Sequence, residues 1–197
     1  MEHVIENDCW FTTFRGVRGT LSPACVDALI NETKNLGPEG RYLETGSYLG
    51  CSSLIVAAHS NATVWAHDIW VTDWSELKGG PPPEVKDYFY EFYNMVKENN
   101  LIHRIIPIRG NSVYTVGIHD DESVDVAFVD GDHSFEGCLA DLQAVLPKMK
   151  KKGTVLVHDC CQGGDCQKAV REFVGLHGFE DVYLVPNSCG MVVIRLP

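Results

Sequence analysis

The sequence predicts an α/β fold: a doubly wound, seven-stranded, mainly parallel sheet with an antiparallel last strand and helices on both faces. Three observations carry this expectation. From residue 41 onward, short apolar runs alternate with segments of helical period, the signature of βαβ units joined by right-handed crossovers. One run, Val124-Asp125-Val126-Ala127-Phe128-Val129, is of the kind buried on both faces of a sheet. The last two runs have only a turn at Asn187-Ser188 between them, so that pair is antiparallel.

The elements follow in order. After an irregular start, Ser22-Pro23 reads as an N-cap and first helical position for a helix to about Asn35, stopped by Gly37-Pro38. Arg41 to Thr45 is a short strand entering a glycine turn. Leu49 to Ser60 is helical, and Ala62 to Ile69 is the second strand. Gly79-Gly80-Pro81-Pro82-Pro83 reads as a loop into a helix over Pro83 to Asn100, where Val85, Tyr88, Phe89, Phe92, Met95 and Val96 recur at helical spacing. Ile105 to Ile108 is the third strand and Val124 to Val129 the fourth. An amphipathic helix spans Phe135 to Lys150, a fifth strand Thr154 to Val157, and a helix Gln167 to His177. Val182 to Val185 and Met191 to Ile194 close the sheet.

Composition bounds the function. At roughly 150 residues per domain, 197 residues make one domain, large enough for a core without disulfide or metal staples. The 16 basic against 27 acidic residues give a net charge of −11, which argues against a phosphate backbone or an anionic membrane as partner. No apolar run approaches the roughly 20 residues of a membrane span, and the start lacks a secretion-signal pattern. Eight cysteines, several inside apolar helix or strand patterns, suit free thiols in a reducing cytosol better than a disulfide framework.

The first candidate site is Glu44-Thr45-Gly46-Ser47-Tyr48-Leu49-Gly50. Gly46 allows a tight turn, and Gly50 a close approach to a ligand or to the helix. No GxGxxG can be drawn and no Lys follows the glycines, so neither a dinucleotide fingerprint nor a phosphate loop is present. The turn suits an uncharged or zwitterionic adenosine-bearing ligand held against backbone. Asp68, ending the second strand and followed by Ile69, can accept from both ribose hydroxyls. A purely structural turn with a capping aspartate is the alternative. These residues resemble the motifs of class I S-adenosylmethionine-dependent methyltransferases, whose fold is Rossmann-like. Glu44-Thr45-Gly46 with Gly50 matches the first motif and Asp68 the second. Gly110-Asn111-Ser112 stands where Gly-Asp-Ser or Gly-Asp-Ala is frequent. The likeness spans about residues 36 to 197 and implies a cofactor-binding core over 37–197, with 1–36 as an N-terminal helical or lid segment. It also implies that Glu44, Gly46, Ser47, Tyr48, Gly50, Asp68, Ile69, Asn111, Ser112 and Asp130 bind the cofactor.

The fourth and fifth strand exits carry Asp130-Gly131-Asp132-His133-Ser134 and His158-Asp159-Cys160. Adjacent strand ends bring Asp130, Asp132, His133, His158 and Asp159 into one small volume. Unpaired carboxylates this close repel one another, and a divalent cation resolves the conflict. Oxygen donors with some imidazole suit magnesium, manganese or calcium. The wording resembles the macrocin-type sugar O-methyltransferases and their cephalosporin-hydroxylase-like relatives. That resemblance implies a metal at Asp130, His158 and Asp159, with Asp130 and His133 catalytic and His133 the base. His158 stands where a carboxylate is usual. Asp132 and Ser134 are equally candidates to cap the following helix.

The reading is a metal-assisted methyl transfer to a hydroxyl of a small acceptor, a sugar preferred. A catechol-type methyltransferase, a non-catalytic S-adenosylmethionine-binding protein and a hydride-transferring oxidoreductase are the rivals, the last disfavoured by the missing GxGxxG. Cys160-Cys161 with Cys166, His158 and Asp159 lacks zinc-knuckle spacing. Trp70 and Trp74 with Tyr88, Tyr90 and Tyr93 are either an acceptor-binding cluster or helix packing. Trp10-Phe11 with Arg15 and Arg18 serves as a lid over the site or as a homodimer interface.

Overall fold

The structure is a computed structural model describing residues 1–6, 9–72 and 86–197. A three-stranded antiparallel meander comes first: β1 (Glu2–Glu6), β2 (Cys9–Phe14) and β3 (Val17–Gly19). This corrects the irregular start expected from sequence; β2 is paired on both sides, and its alternation is too short to stand out. Helix α1 (Pro23–Thr33) begins where Ser22 Oγ accepts the Cys25 amide proton at 3.2 Å.

The main sheet follows. Strands β4 (Arg41–Thr45), β5 (Thr63–Asp68), β8 (Ile105–Arg109), β9 (Val124–Val129), β10 (Met149–Val157), β11 (Val182–Leu184) and β12 (Val192–Arg195) are ordered β11-β12-β10-β9-β4-β5-β8. Only β12 runs against the rest, paired antiparallel with both β10 and β11. Helices α2 (Cys51–His59), α3 (Phe89–Glu98), α5 (Phe135–Val145) and α6 (Asp165–His177) join the strands, with a single turn α4 (Ser112–Thr115) after β8. A small pair, β6 (Val71–Thr72) with β7 (Lys86–Asp87), lies beside α3.

Period-two alternation divides the core in two. Tyr42, Phe128 and Leu156 face α1, α2 and α3, packing with Leu29, Leu54 and Phe92. Leu43, Ala127, Val129 and Val155 face α5 and α6, packing with Leu142 and Phe173. Both faces of β9 are therefore covered, which is why its sequence is nearly all apolar.

Two boundaries differ from the sequence reading. The helix expected to reach Lys150 ends at Val145, because Pro147 forces a tighter turn over Leu146–Lys148. Strand β10 accordingly starts at Met149, five residues earlier than expected, with a register shift before Thr154. The expected helix over Pro83–Asn100 begins at Phe89, because Lys86-Asp87 pair as a strand with β6. Residues 83–85, the Gly79–Pro83 loop and Trp74 lie outside the described residues.

The chain winds outward from β4 to β5 and β8, then returns to β9 and β10. The crevice at this reversal, between the ends of β4 and β9, is where such a sheet holds ligands.

Candidate active site

Backbone geometry builds the floor of the crevice. Gly46 sits at φ +84°, and a Cβ there would lie 2.0 Å from the Asp130 carbonyl oxygen. Only glycine lets the ends of β4 and β9 close to this distance. Gly50, at φ +86°, starts α2; a Cβ there would meet Met95 and Phe92 of α3, while Gly50 itself also lines the crevice. Glu44 is likewise turned inward. It is fully buried and accepts from Tyr42 Oη (2.8 Å), Ser52 Oγ (3.0 Å) and Ser53 Oγ (2.8 Å). Burial pushes its carboxyl up to about 7, against the opposing effect of those hydroxyls. These bonds tie β4 to the first turn of α2.

The ends of β5 and β8 form the second part. Asp68 Oδ2 accepts the Tyr48 amide proton at 2.7 Å, and Oδ1 accepts that of Trp70 at 2.5 Å. Burial raises its pKa while those amides oppose the shift. Tyr48 and Trp70 both adopt left-handed φ, 46° and 50°. Strain of this kind in bulky residues gathers at binding sites. Ile69 is exposed beside Asp68. Across the rim, Asn111 Oδ1 accepts from the Val113 amide and so caps α4, whose Val113 and Tyr114 are exposed. Ser112 Oγ donates to the buried Asp141 at 2.6 Å. A half-buried carboxylate flanked by exposed apolar side chains on adjacent strand ends fits a nucleoside: hydroxyls to Asp68, base to the apolar surface.

The third part is charged. Donor atoms of Asp130, His133 and Asp159 lie within 4.8 Å of one another. His133 Nε2 is 3.7 Å from Asp130 Oδ1 and 3.2 Å from Asp159 Oδ2. His158, expected as a metal ligand, is almost fully buried behind them. Its Nδ1 is 3.2 Å from Asp130 Oδ1 and 3.4 Å from Asp159 Oδ2, at angles that make no hydrogen bond. His133 thus stands in the convergent set where the sequence reading has His158. Asp159, at φ 54°, is held in the left-handed region to point its carboxylate inward. The Asp130 carboxylate foremost, against burial and aided by Asp159, lifts His133 to about 9. Burial opposes charge on His158, yet Asp130 outweighs it and holds this imidazole well above its ordinary range. Burial likewise works against the Asp130 carboxylate, but His158 and His133 win and lower its pKa. Two carboxylates converging beside an imidazole are a donor set that a divalent cation fits.

The other predicted residues divide. Asp132 and Ser134 are structural: Ser134 Oγ accepts from Gly137, and Asp132 Oδ1 from Ser134. Trp70 is buried, its Nε1 donating to the Tyr48 carbonyl, so it packs the core and meets no acceptor. Tyr48 and Tyr88 pack edge to face, while Tyr90 and Tyr93 are exposed. All eight cysteines are free thiols, and among the described residues none joins a metal-binding cluster. The sequence reading gives no role to Asp141, which follows the His133 motif and holds Ser112. It also missed Thr20 and Leu21, which line the crevice from before the βα alternation begins.

A seven-stranded doubly wound sheet with a nucleoside-suited rim at its reversal point defines a nucleoside-cofactor enzyme of the α/β class. Residues 43–160 match the sequence model of a family described as methyltransferase domain, and the chain belongs to that family: it is an S-adenosyl-L-methionine-dependent methyltransferase. Solved structures share the fold. A protein of Methanococcus maripaludis assigned as an S-adenosyl-L-methionine-dependent methyltransferase is 14% identical, with TM-score 0.65 over 88% of this chain and 84% of that one. The O-methyltransferase NovP is 16% identical, with TM-score 0.68 over 88% and 79%. Geranyl diphosphate methyltransferase, solved with S-adenosyl-L-methionine, is 7% identical, with TM-score 0.63 over 86% and 82%. No curated protein matches the sequence. Among the described residues, no helix is long and apolar enough to cross a membrane.

Proposed function

We propose that this methyltransferase acts on a hydroxyl oxygen of a small acceptor, a carbohydrate in preference to a phenol, with a divalent cation held by Asp130 and Asp159 and with His133 beside them as the base. The single observation that carries the reading is the convergence of those three side chains beside the glycine turn. S-adenosyl-L-methionine, when bound, supplies an activated methyl group on a sulfonium. The cation, when bound, supplies Lewis acidity that stabilises an oxygen losing its proton.

The chain's own residues do the rest. Gly46 and Asp68 fix the nucleoside along one rim, and Asp130 and Asp159 define where the acceptor oxygen sits on the other. Holding the two reactants in line is worth roughly 7–11 kcal/mol, the largest contribution available to such a site. His133 is the group placed to accept the hydroxyl proton. With its pKa lifted to about 9, however, it is an imidazolium at neutral pH while both carboxylates face it unneutralised. Base function therefore requires positive charge supplied between Asp130 and Asp159, which lowers the imidazole's affinity for its proton. The buried imidazole of His158 supports the two carboxylates from behind.

The test is methyl transfer from labelled S-adenosyl-L-methionine to panels of sugars and catechols, after chelation and after restoring magnesium, manganese or calcium. Transfer to a sugar hydroxyl that vanishes on chelation and returns with metal supports the reading. Vicinal-phenol activity would favour the catechol-type alternative, and transfer indifferent to chelation removes the metal. Cofactor binding without transfer to any hydroxyl, unchanged by His133→Ala, favours a binding protein.

A further inference from the structure

We propose that Cys138 and Cys166 form a dithiol that hydrogen peroxide converts to a disulfide, and that the conversion displaces the loop carrying His133. The inference goes beyond the methyl-transfer reading and needs neither its acceptor nor its cation.

The two thiols come from neighbouring helices. Cys138 is the fourth residue of α5 and Cys166 the second of α6, and both are buried in one core cluster. They meet side chain to side chain, the Cys138 S–H donating to Cys166. Each is also tied to the loop of His133. Cys166 Sγ donates to the His133 carbonyl at 3.5 Å, and the Cys138 amide donates to the next carbonyl, that of Ser134, at 3.0 Å. Among the described residues the thiols join no set of three converging donors, which leaves a thiophilic metal without its ligands.

Their surroundings divide the roles. The Cys138 donor foremost, against burial and aided by His133, holds the Cys166 thiol below its ordinary range. Donating to Cys166 and burial push Cys138 up. Cys166 is therefore the nucleophile. The third thiol nearby, Cys160, is pushed up to about 12 by burial foremost and faces the Val157 and His158 carbonyls, so it stays out of the pair. Cys166 lies against His133, whose side chain is half exposed on the crevice, and a molecule as small as hydrogen peroxide has a short path to it.

The Cys166 thiolate attacks one peroxide oxygen. An S–O bond forms, the O–O bond breaks, and the hydroxide that leaves takes up the proton Cys166 gave. The Cys138 sulfur then attacks Cys166, the S–S bond forms as S–O breaks, and the departing hydroxide carries off the Cys138 proton as water. Two electrons leave the sulfurs and reduce the peroxide to two waters. A disulfide holds its sulfurs about 2.0 Å apart. Closing to that length draws the starts of α5 and α6 together, and Cys166 loses the S–H that the His133 carbonyl accepts. The loop between β9 and α5 shifts, and His133 with it.

The experiment treats the whole protein with about one equivalent of hydrogen peroxide, blocks the remaining thiols and maps disulfides by mass spectrometry. Exposure alone would direct oxidation to Cys9, Cys161 and Cys189. The expected result is instead a linked Cys138–Cys166 peptide with two of the eight thiols lost, both restored by dithiothreitol. In parallel, the His133 imidazole resonance, assigned by its absence in His133→Gln, shifts on oxidation and returns on reduction, while that of His59 at the end of α2 stays. Absence of the linked peptide, with oxidation confined to the exposed thiols or none at all, overturns the pair. A linked pair beside an unmoved His133 overturns its hold on the loop. In Cys138→Ala, peroxide followed by dimedone is expected to label Cys166, and no label there overturns its role as nucleophile. Thermal unfolding checks that this variant folds; if it does not, Cys138→Ser carries the same labelling.

Discussion

The two halves of the rim are built from different materials. On the β4–β5 side, position is set by backbone: Gly46 closes on the Asp130 carbonyl, and Asp68 has an amide proton on each oxygen. On the β9–β10 side, position is set by side chains whose charges face one another: Asp130, His133, His158 and Asp159, with neither nitrogen of His158 in a hydrogen bond. In the first half the charged group, Asp68, is satisfied as it stands. The second carries unresolved charge, which is what a site awaiting a cation and a proton requires. Backbone sites tolerate no added atom, whereas side-chain sites tolerate substitution at the expense of chemistry.

Mutation of each half breaks this comparison most sharply. Gly46→Ala places a methyl group 2.0 Å from the Asp130 carbonyl at a φ that L-residues avoid. It is expected to destabilise the fold by about 3 kcal/mol or more and to abolish cofactor binding, as read by urea unfolding and calorimetry. Asp130→Asn keeps shape but removes a charge. Methyl transfer is expected to fall on the order of 10²–10⁴-fold, with S-adenosylhomocysteine affinity held within about threefold. Should Asp130→Asn lose cofactor affinity as severely as Gly46→Ala, the division of labour between the two halves is wrong.

The same contrast explains what the sequence disclosed. Strand and helix alternation was plain because β9 must be apolar on both faces, and glycine spacing marked the backbone-built half. Those signals come from local sterics, which one sequence displays. The side-chain half was legible as a motif but not as a geometry. Which imidazole joins Asp130 and Asp159 depends on the left-handed turn at Asp159 and on the burial of His158, and neither has a local signature. The strands of the N-terminal meander escaped because the meander's place is set by contacts to Cys51, more than thirty positions away along the chain. Glu44 matches a motif, but its burial beneath the glycine turn was not legible, since a buried carboxyl and an exposed one look alike in sequence.

Buried titrating groups sharpen the comparison through pH. His67, on β5, is fully buried with Nε2 2.9 Å from His119 Nε2 and Nδ1 2.9 Å from Thr115 Oγ1. Burial, then the neighbouring His119, push it down to about 3. The unfolded chain binds this proton from about pH 6.5 and the folded protein does not, so its contribution to stability is present above that pH and lost towards pH 3. By pH 5 the loss is roughly 2 kcal/mol. Glu44 acts in the opposite direction. Its folded-state value of about 7 means that folded protein keeps a proton the unfolded chain gives up near 4.5. Its contribution is complete below 4.5 and lost as pH rises through 7.

Between about pH 4.5 and 6.5 the two slopes oppose each other, each about 1.4 kcal/mol per pH unit, so these two contributions nearly cancel. Glu44→Gln removes one of them while keeping an acceptor oxygen for Ser52 and Ser53 and presenting an NH2 donor to the Tyr42 hydroxyl. Measured by urea unfolding across that window, the stability of Glu44→Gln relative to wild type is expected to rise by about 1.4 kcal/mol for each unit of increasing pH. A constant difference would mean that Glu44 titrates no differently in the folded and unfolded chains. The strut beneath the glycine turn would then be charged throughout, with its three hydroxyl donors offsetting the whole desolvation penalty of the buried carboxylate.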